Sequence, residues 1–258
     1  MTLASVLVPP RRSYYGAAGL LALLVVWEIL GRTVFADSRA VPPPTKILSQ
    51  FGHDGWSFYW PNIKATLRTA GWGWLWGNAI GIAFAFLLIQ FPLIEKAGMQ
   101  LALVSYCLPV IAIGPVLAVL FTGDKSKVIL AAISVIFTTL VGALVGLRSA
   151  DRTSLDLIRA YGGGKWTQLW KVRLRTSLPS LFAGLRIAAP AAMLGAIIGE
   201  YLGAESGLGV AMINSQQSLA VERTWGIALV ATALSGLAYG LTALIGRLLT
   251  PWAPRAAK

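Results

Sequence analysis

The chain has 258 residues, of which 56% are hydrophobic and only 12% charged, with a net charge of +12. Soluble proteins carry roughly 25% charged residues, and a mean hydropathy of +0.69 leaves too little polar surface for a soluble fold. The apolar content excludes disorder, the single cysteine, Cys107, excludes a disulfide scaffold, and the single histidine, His53, argues against a histidine-built metal site.

What remains is an integral membrane protein. Its continuous apolar runs do not alternate, so they predict helices rather than a barrel. The first span is predicted at about Tyr15–Val34, with Arg11 and Arg12 on its inner side. It is not a cleaved leader, because it is long, holds Glu28 and ends in no small-x-small cleavage pattern. Glu28 falls near the outer interface, where a structural and a functional role stay open. Pro42, Pro43 and Pro44 then force extended backbone, and Thr45 is placed to cap a short helix over Lys46–Phe51. Trp56, Trp60, Trp72, Trp74 and Trp76 cluster around the start of span two and read as an interfacial aromatic belt.

Span two is predicted at about Ala70–Ile89 and span three at about Met99–Phe121. Asn78 reads as an interhelical hydrogen bond more than as a solute ligand. Pro109 and Pro115 are expected to kink or break span three, as Pro190 is in span five. Span four is predicted at about Val128–Leu147. Pairs of glycines four apart recur at Gly77/Gly81, Gly142/Gly146, Gly195/Gly199 and Gly236/Gly240, and predict close helix packing.

From Arg148 to Arg175 the chain carries seven basic residues and two acids, Asp151 and Asp156. This excess marks a cytoplasmic connection. Leu155–Tyr161 reads as a short helix, Gly162–Gly164 as a turn, and Lys165–Leu174 as a second, amphipathic helix. Its Trp166, Leu169, Trp170 and Val172 are expected to face apolar neighbours, and Lys165, Lys171 and Arg173 water. Pro179 is expected to begin span five, about Leu181–Leu202. Arg186 is expected to snorkel to the inner interface, with a salt bridge to Asp156 as the alternative. Glu200 near the outer end of span five could line a pathway, brace an outer gate or make a structural hydrogen bond. Span six is predicted at about Trp225–Leu249.

Six spans beginning inside put both termini inside, with thirteen basic residues assigned to the inner side and eight to the outer, among them Arg39. The net charge is explained by this topology, so no nucleic-acid partner is expected. The architecture is thus an all-α, polytopic membrane bundle of about six helices. A cytoplasmic tail (1–14) precedes a membrane domain (15–250, its cytoplasmic loop about 149–180), and a second tail (251–258) follows.

The loop resembles the signature loop of inner-membrane permease subunits of ATP-binding-cassette (ABC) importers, whose pattern is Glu-Ala-Ala, three residues, Gly, nine residues, Ile-x-Leu-Pro. Asp156 stands at the Glu, Leu157 and Ile158 at the two Ala, Gly162 at the Gly, Val172 at the Ile and Leu174 at the Leu. Arg175 replaces the Pro. Leu178-Pro179, Gly184-Leu185-Arg186, Ser206-Gly207-Leu208-Gly209 and the segment Val41–Lys46 also match, most closely the branch for sulfonates, taurine, nitrate or bicarbonate. The resemblance covers about residues 20–250. It implies a type I importer permease in the bacterial inner membrane, forming the solute pathway. A second copy or a paralogue would pair with it. A periplasmic or lipid-anchored binding protein would deliver a small solute, which for similar importers also includes thiamine precursors and riboflavin-like compounds. The loop residues Asp156, Leu157, Ile158, Gly162, Trp166, Val172 and Leu174 would couple the chain to a separate ATPase. Glu200, Asn78 and Pro109 would be candidates for the pathway or gate.

The chain itself is expected to bind no ATP and no other cofactor. A phosphate-binding loop needs Gly-x-x-x-x-Gly-Lys-Ser/Thr, whereas Gly164-Lys165 is followed by Trp166 and has Arg159 in place of the first Gly. The alternative, an ion-gradient-driven secondary transporter, calls for several paired intramembrane acids or inverted halves; only Glu28 and Glu200 are seen. An intramembrane serine enzyme using Ser206 lacks a base within reach, because His53 lies in an outer loop.

Overall fold

Close contact between helix backbones organises the described part of the chain, residues 11–36 and 40–253 of a computed structural model. The expected tails 1–14 and 251–258 fall largely outside it, as do Arg39, Arg255 and Lys258. Ten helices follow in order: α1 (Arg11–Arg32), α2 (Pro44–Gln90), α3 (Pro92–Cys107), α4 (Val110–Leu120), α5 (Lys125–Arg148), α6 (Arg152–Ala160), α7 (Lys165–Gln168), α8 (Leu174–Tyr201), α9 (Leu208–Gln217) and α10 (Val221–Leu249). A π-helical turn, Leu169–Arg173, joins α7 to α8.

Among the described residues, four stretches are long and apolar enough to cross a membrane: α2, α5, the run Lys165–Tyr201 and α10. The pair α3 and α4 makes a fifth if it is counted as one span. Four or five of the six expected spans are therefore met on these grounds. The first corresponds to α1, a helix of 22 residues whose side chains from Leu20 to Val26 are exposed. Of the two outcomes expected of the prolines in span three, a kink or a break, the structure shows a break. It lies at Leu108-Pro109, with the two halves bent by 89°. Proline disfavours helical backbone in the residue before it, and Leu108 is extended, with ψ 127°. Pro115, Pro190 and Pro179 do not break their helices. Pro179 does not begin span five either, since α8 already starts at Leu174. One missing N–H costs a hydrogen bond, and the neighbouring bonds and tertiary packing keep the helix going.

The described residues form two compact units. The first takes residues up to Tyr59 together with Met212–Leu229. Here the Glu28 carboxylate receives the Thr45 N–H (3.1 Å) and the Thr45 hydroxyl (2.7 Å), and also pairs with Arg32. Thr45 thus does not cap the helix as expected. Pro44 occupies the first helical position, which suits its missing N–H, and Glu28 supplies the cap from another helix. The helix is also longer than Lys46–Phe51, bending at Gly55 (φ +70°) before it continues. Asp54, with its side chain buried, receives Arg223 (2.5 Å) and Gln50 (2.8 Å). Trp56 and Trp60 are exposed, in keeping with a belt.

The second unit takes Trp60–Ala211 and the residues from Val230 on. Its centre is α5. Gly73, Gly77 and Gly81 of α2 lie against Ala131, Ala132 and Ile136 of α5; a Cβ on Gly81 would stand 2.8 Å from the Ile136 carbonyl oxygen. On another face of α5, Gly142 and Gly146 lie against Gly184 and Ser177 of α8, and Gly195 and Gly199 of α8 against Ala131 and Lys127. Three of the four expected glycine pairs therefore pack as predicted. Gly236 and Gly240 of α10 meet nothing within 4 Å. Small side chains fill the seams: Ala131, Ala188, Ala192 and Ala196 are buried, with Val135 and Met193. Trp74 is not a belt residue, since its indole N–H donates to the Leu185 carbonyl at 3.3 Å.

Adding one methyl group therefore has different consequences at two glycines. Gly146→Ala would place its Cβ 2.6 Å from the Ser177 carbonyl oxygen and is expected to destabilise by about 1–3 kcal/mol. Gly236→Ala is expected to leave stability unchanged. Thermal unfolding midpoints in detergent test the contrast.

Candidate functional site

The connection between α5 and α8 folds as an elbow. Asp151 caps α6, its carboxylate receiving the Ser154 N–H at 3.1 Å. The helix then ends at Gly162–Gly163. The Gly162 N–H bonds the Arg159 carbonyl and the Gly163 N–H bonds the Ile158 carbonyl, each at 2.8 Å. This is the Schellman termination, which needs a left-handed residue just past the helix. Gly162 supplies it, with φ +77°. Gly163 is needed for space, because its Cβ would lie 2.9 Å from the Ile158 carbonyl oxygen.

Beyond the turn, the chain differs from the single amphipathic helix expected over Lys165–Leu174. The π turn closes with the Leu174 N–H bonding the Leu169 carbonyl, and the wider ring rotates the face that follows. Leu169 is buried with Leu140, Leu144 and Leu147 of α5. Gln168 is buried too, donating to the Leu155 carbonyl at 3.3 Å. Arg173 does not point freely to water; it donates to the Leu147 carbonyl at the end of α5 at 3.1 Å. Trp166 and Trp170, expected to face apolar neighbours, are 63% and 64% exposed. They join Leu157 (57%) and Tyr161 (85%) as uncovered apolar side chains on the same short elbow.

The remaining predicted loop residues are placed as follows. Asp156 pairs with Arg159 at 3.1 Å, not with Arg186. Arg186 instead lies over the Tyr239 ring, 5.8 Å from its centre. Ile158, Val172 and Leu174 are half-buried.

Glu200 belongs to a separate cluster at the other end of α8. Its side chain is fully buried and accepts the Gly209 N–H (2.8 Å), the Thr66 hydroxyl (3.0 Å) and the Thr69 hydroxyl (3.5 Å). The loop is held from α2 as well. Gly207 N–H donates to Asn62 at 3.1 Å, and Leu208 N–H to the Thr66 hydroxyl at 2.9 Å. Gly207 has φ +134°, and a Cβ there would run into the Glu200 carboxylate. The carboxylate therefore clamps the loop 203–207 and the first turn of α9 between α8 and α2. Of the three roles open to Glu200, the geometry favours the structural bond and the bracing of that loop. Asn78 bridges helices as expected, donating to the Trp74 carbonyl at 2.6 Å and accepting the Thr139 hydroxyl of α5. Pro109 sits exposed at the α3–α4 bend.

Sequence reasoning missed four partnerships: Thr66 and Thr69 with Glu200, Arg173 with Leu147, Asp54 with Arg223, and Glu95 with Arg148. Thr66 and Thr69 lie three apart, on one helix face, which was the available signal. The others join residues distant in sequence and leave no local pattern.

Residues 77–253 match the family described as binding-protein-dependent transport system inner membrane component. The formylaminopyrimidine transport permease protein ThiX of Halalkalibacterium halodurans is 32% identical over 73% of this chain and 76% of its own. The riboflavin transport system permease protein RibX of Chloroflexus aurantiacus is 30% identical over 90% and 88%. The taurine transport system permease protein TauC of Escherichia coli K12 is 26% identical over 95% and 92%. Among solved structures, the MetNI methionine ABC transporter in inward-facing conformations aligns with TM-score 0.64 over 76% of this chain and 99% of that one. At 17% identity that likeness is one of fold.

Two substitutions probe the two clusters. Gly162→Ala keeps the volume small but forces a side chain into left-handed backbone, at about 1–2 kcal/mol, and is expected to accelerate amide exchange across residues 158–168. Glu200→Gln retains the shape but sets an amide donor among donors. It is expected to cost about 1–3 kcal/mol, read as a lower unfolding midpoint and faster exchange at Leu208 and Gly209.

Proposed function

The chain belongs to the family of inner-membrane components of binding-protein-dependent transport systems and is an ABC importer permease, and we propose that its elbow is the handle by which a separate ATPase drives it. The observation that supports this reading is the exposed set Leu157, Tyr161, Trp166 and Trp170. A single elbow presents four large apolar side chains to solvent, while Leu169 and Arg173 fasten it to α5 and the Gln168–Leu155 bond ties its two helices together. Uncovered apolar surface of this kind is characteristic of partner interfaces. Asp156, Ile158, Gly162, Val172 and Leu174 shape and support that face.

The mechanism follows from the fastening. ATP is bound by the partner and not by this chain, and its closure of an ATPase pair moves the elbow. Leu169 and Arg173 pass the displacement to α5 and α8, which turn the pathway outward. ATP must favour the closed state by its differential affinity alone, and the elbow transmits that bias. Residues 15–250 form the permease domain, with both termini cytoplasmic, and a second copy or a paralogue completes the pathway. A periplasmic or lipid-anchored binding protein delivers the solute. Pro109, at the bend of the broken α3–α4 pair, borders the pathway. Glu200 braces the outer loop, and Asn78 holds α2 to α5.

The solute is small and polar. Relatives named for formylaminopyrimidine and riboflavin, at 32% and 30% identity, favour a nitrogen heterocycle over the sulfonates and taurine named for relatives at 23–26%. Competitive uptake of labelled taurine and labelled formylaminopyrimidine by cells expressing the complete transporter separates the two.

The coupling assignment is tested by the pair Trp166→Ser and Trp170→Ser. Both side chains are exposed, so folding and membrane insertion are expected to persist. Recovery of the ATPase with the tagged chain is expected to fall at least about tenfold, as loss of an aromatic anchor costs 2 kcal/mol or more at an interface hot spot. Undiminished recovery and normal uptake would count against the assignment.

A further inference from the structure

We propose that the end of the body bearing the elbow holds an anion site for one phosphate-class group, formed by Arg159, Lys165 and Arg173 with the Gln90 amide. A cavity of about 190 Å³ lies between the α2–α3 turn and the elbow, lined by Gln90 and Pro92 on one side and by Arg159, Lys165, Gln168 and Arg173 on the other. Three basic side chains line it and no acidic one does.

Their charges are only partly answered elsewhere. Arg159 pairs with Asp156, where both side chains are about two-thirds exposed. Arg173 gives one N–H to the Leu147 carbonyl, and a guanidinium has five to offer. Lys165 has no partner among the described residues. The Gln90 Nε2 is buried and has no hydrogen-bond acceptor, a rare state for a buried donor in a folded protein.

One ligand resolves both anomalies. An anion in the cavity offsets the repulsion of three like charges and accepts the orphan N–H. Four convergent donor groups suit an oxyanion with three acceptor oxygens, as a phosphate group has. The cavity is smaller than the roughly 300–1,000 Å³ of drug-sized sites, so it takes a head group and not a whole large molecule. Two sources carry this chemistry: the head group of an anionic phospholipid, for which basic pockets beside spanning helices are suited, and free phosphate. Either would tie the α2–α3 turn to the elbow and stiffen the connection between them.

The test uses the full chain. In one arm it is reconstituted in phosphatidylcholine nanodiscs doped with phosphatidylglycerol, and native mass spectrometry counts the lipid retained after extraction. In the other, inorganic phosphate is titrated calorimetrically in detergent. Saturable binding of one equivalent in either arm is expected, and the arm that shows it identifies the source. Lys165→Gln is expected to weaken it roughly fivefold, the effect of one basic residue near an anionic head group, and Gln90→Leu to weaken it as well. Lys171→Gln, on the same elbow and outside the cavity, is expected to leave it unchanged. Absence of saturable binding in both arms, or equal losses in the Lys165 and Lys171 variants, would overturn the proposal.

Discussion

Backbone-to-backbone contact along α5 is the constraint on which the second unit rests. Between spanning helices the hydrophobic effect gives little drive, since lipid is as apolar as leucine. Association must come from close van der Waals contact and from hydrogen bonds that lipid cannot replace. Glycine meets the first need: α2 and α8 approach α5 so closely that a single added carbon on Gly81, Gly146 or Gly195 would fall within 3 Å of a carbonyl oxygen. Asn78 meets the second, satisfying its amide between Trp74 and Thr139 inside the same seam.

That seam sets the mechanical character of the elbow. Leu169 is buried in the cluster of Leu140, Leu144 and Leu147 at the end of α5, and Arg173 bonds the Leu147 carbonyl. The turn at Gly162 is fixed by its own hydrogen bonds and by a backbone angle suited to glycine. A partner pressing on Trp166 or Trp170 therefore pushes on a stiff connector, already joined to the helices that must move. The Glu200 clamp has the same logic at the other end of α8. One buried carboxylate receives hydrogen bonds from α2 and from the first turn of α9, so neither can shift without the other.

The order of apolar segments was legible because each spanning helix must be long and continuous in lipid. The elbow was legible through Gly162, since left-handed backbone all but demands glycine, and through the charge excess around it. The π turn was not, because an extra residue in one helical turn leaves no compositional trace. Within it Leu169 faces inward and Trp170 outward, and Trp166 is already exposed in the turn before it. The break at Pro109 was foreseen only as one of several possible kinks or breaks. Pro115, Pro179 and Pro190 have the same chemistry and stay within helices, so context decided among them. Glu28 capping a helix through Thr45, seventeen residues later, and Arg223 meeting Asp54 across 169 positions, depend on chain folding that no local pattern encodes.

The most direct test of the central claim is a cryo-electron microscopy reconstruction of this permease assembled with its ATPase. The account predicts ATPase density in contact with Leu157, Tyr161, Trp166 and Trp170, with the Gly162 turn at the centre of the interface. A map in which those four side chains face lipid, solvent or the opposite side of the membrane would contradict it.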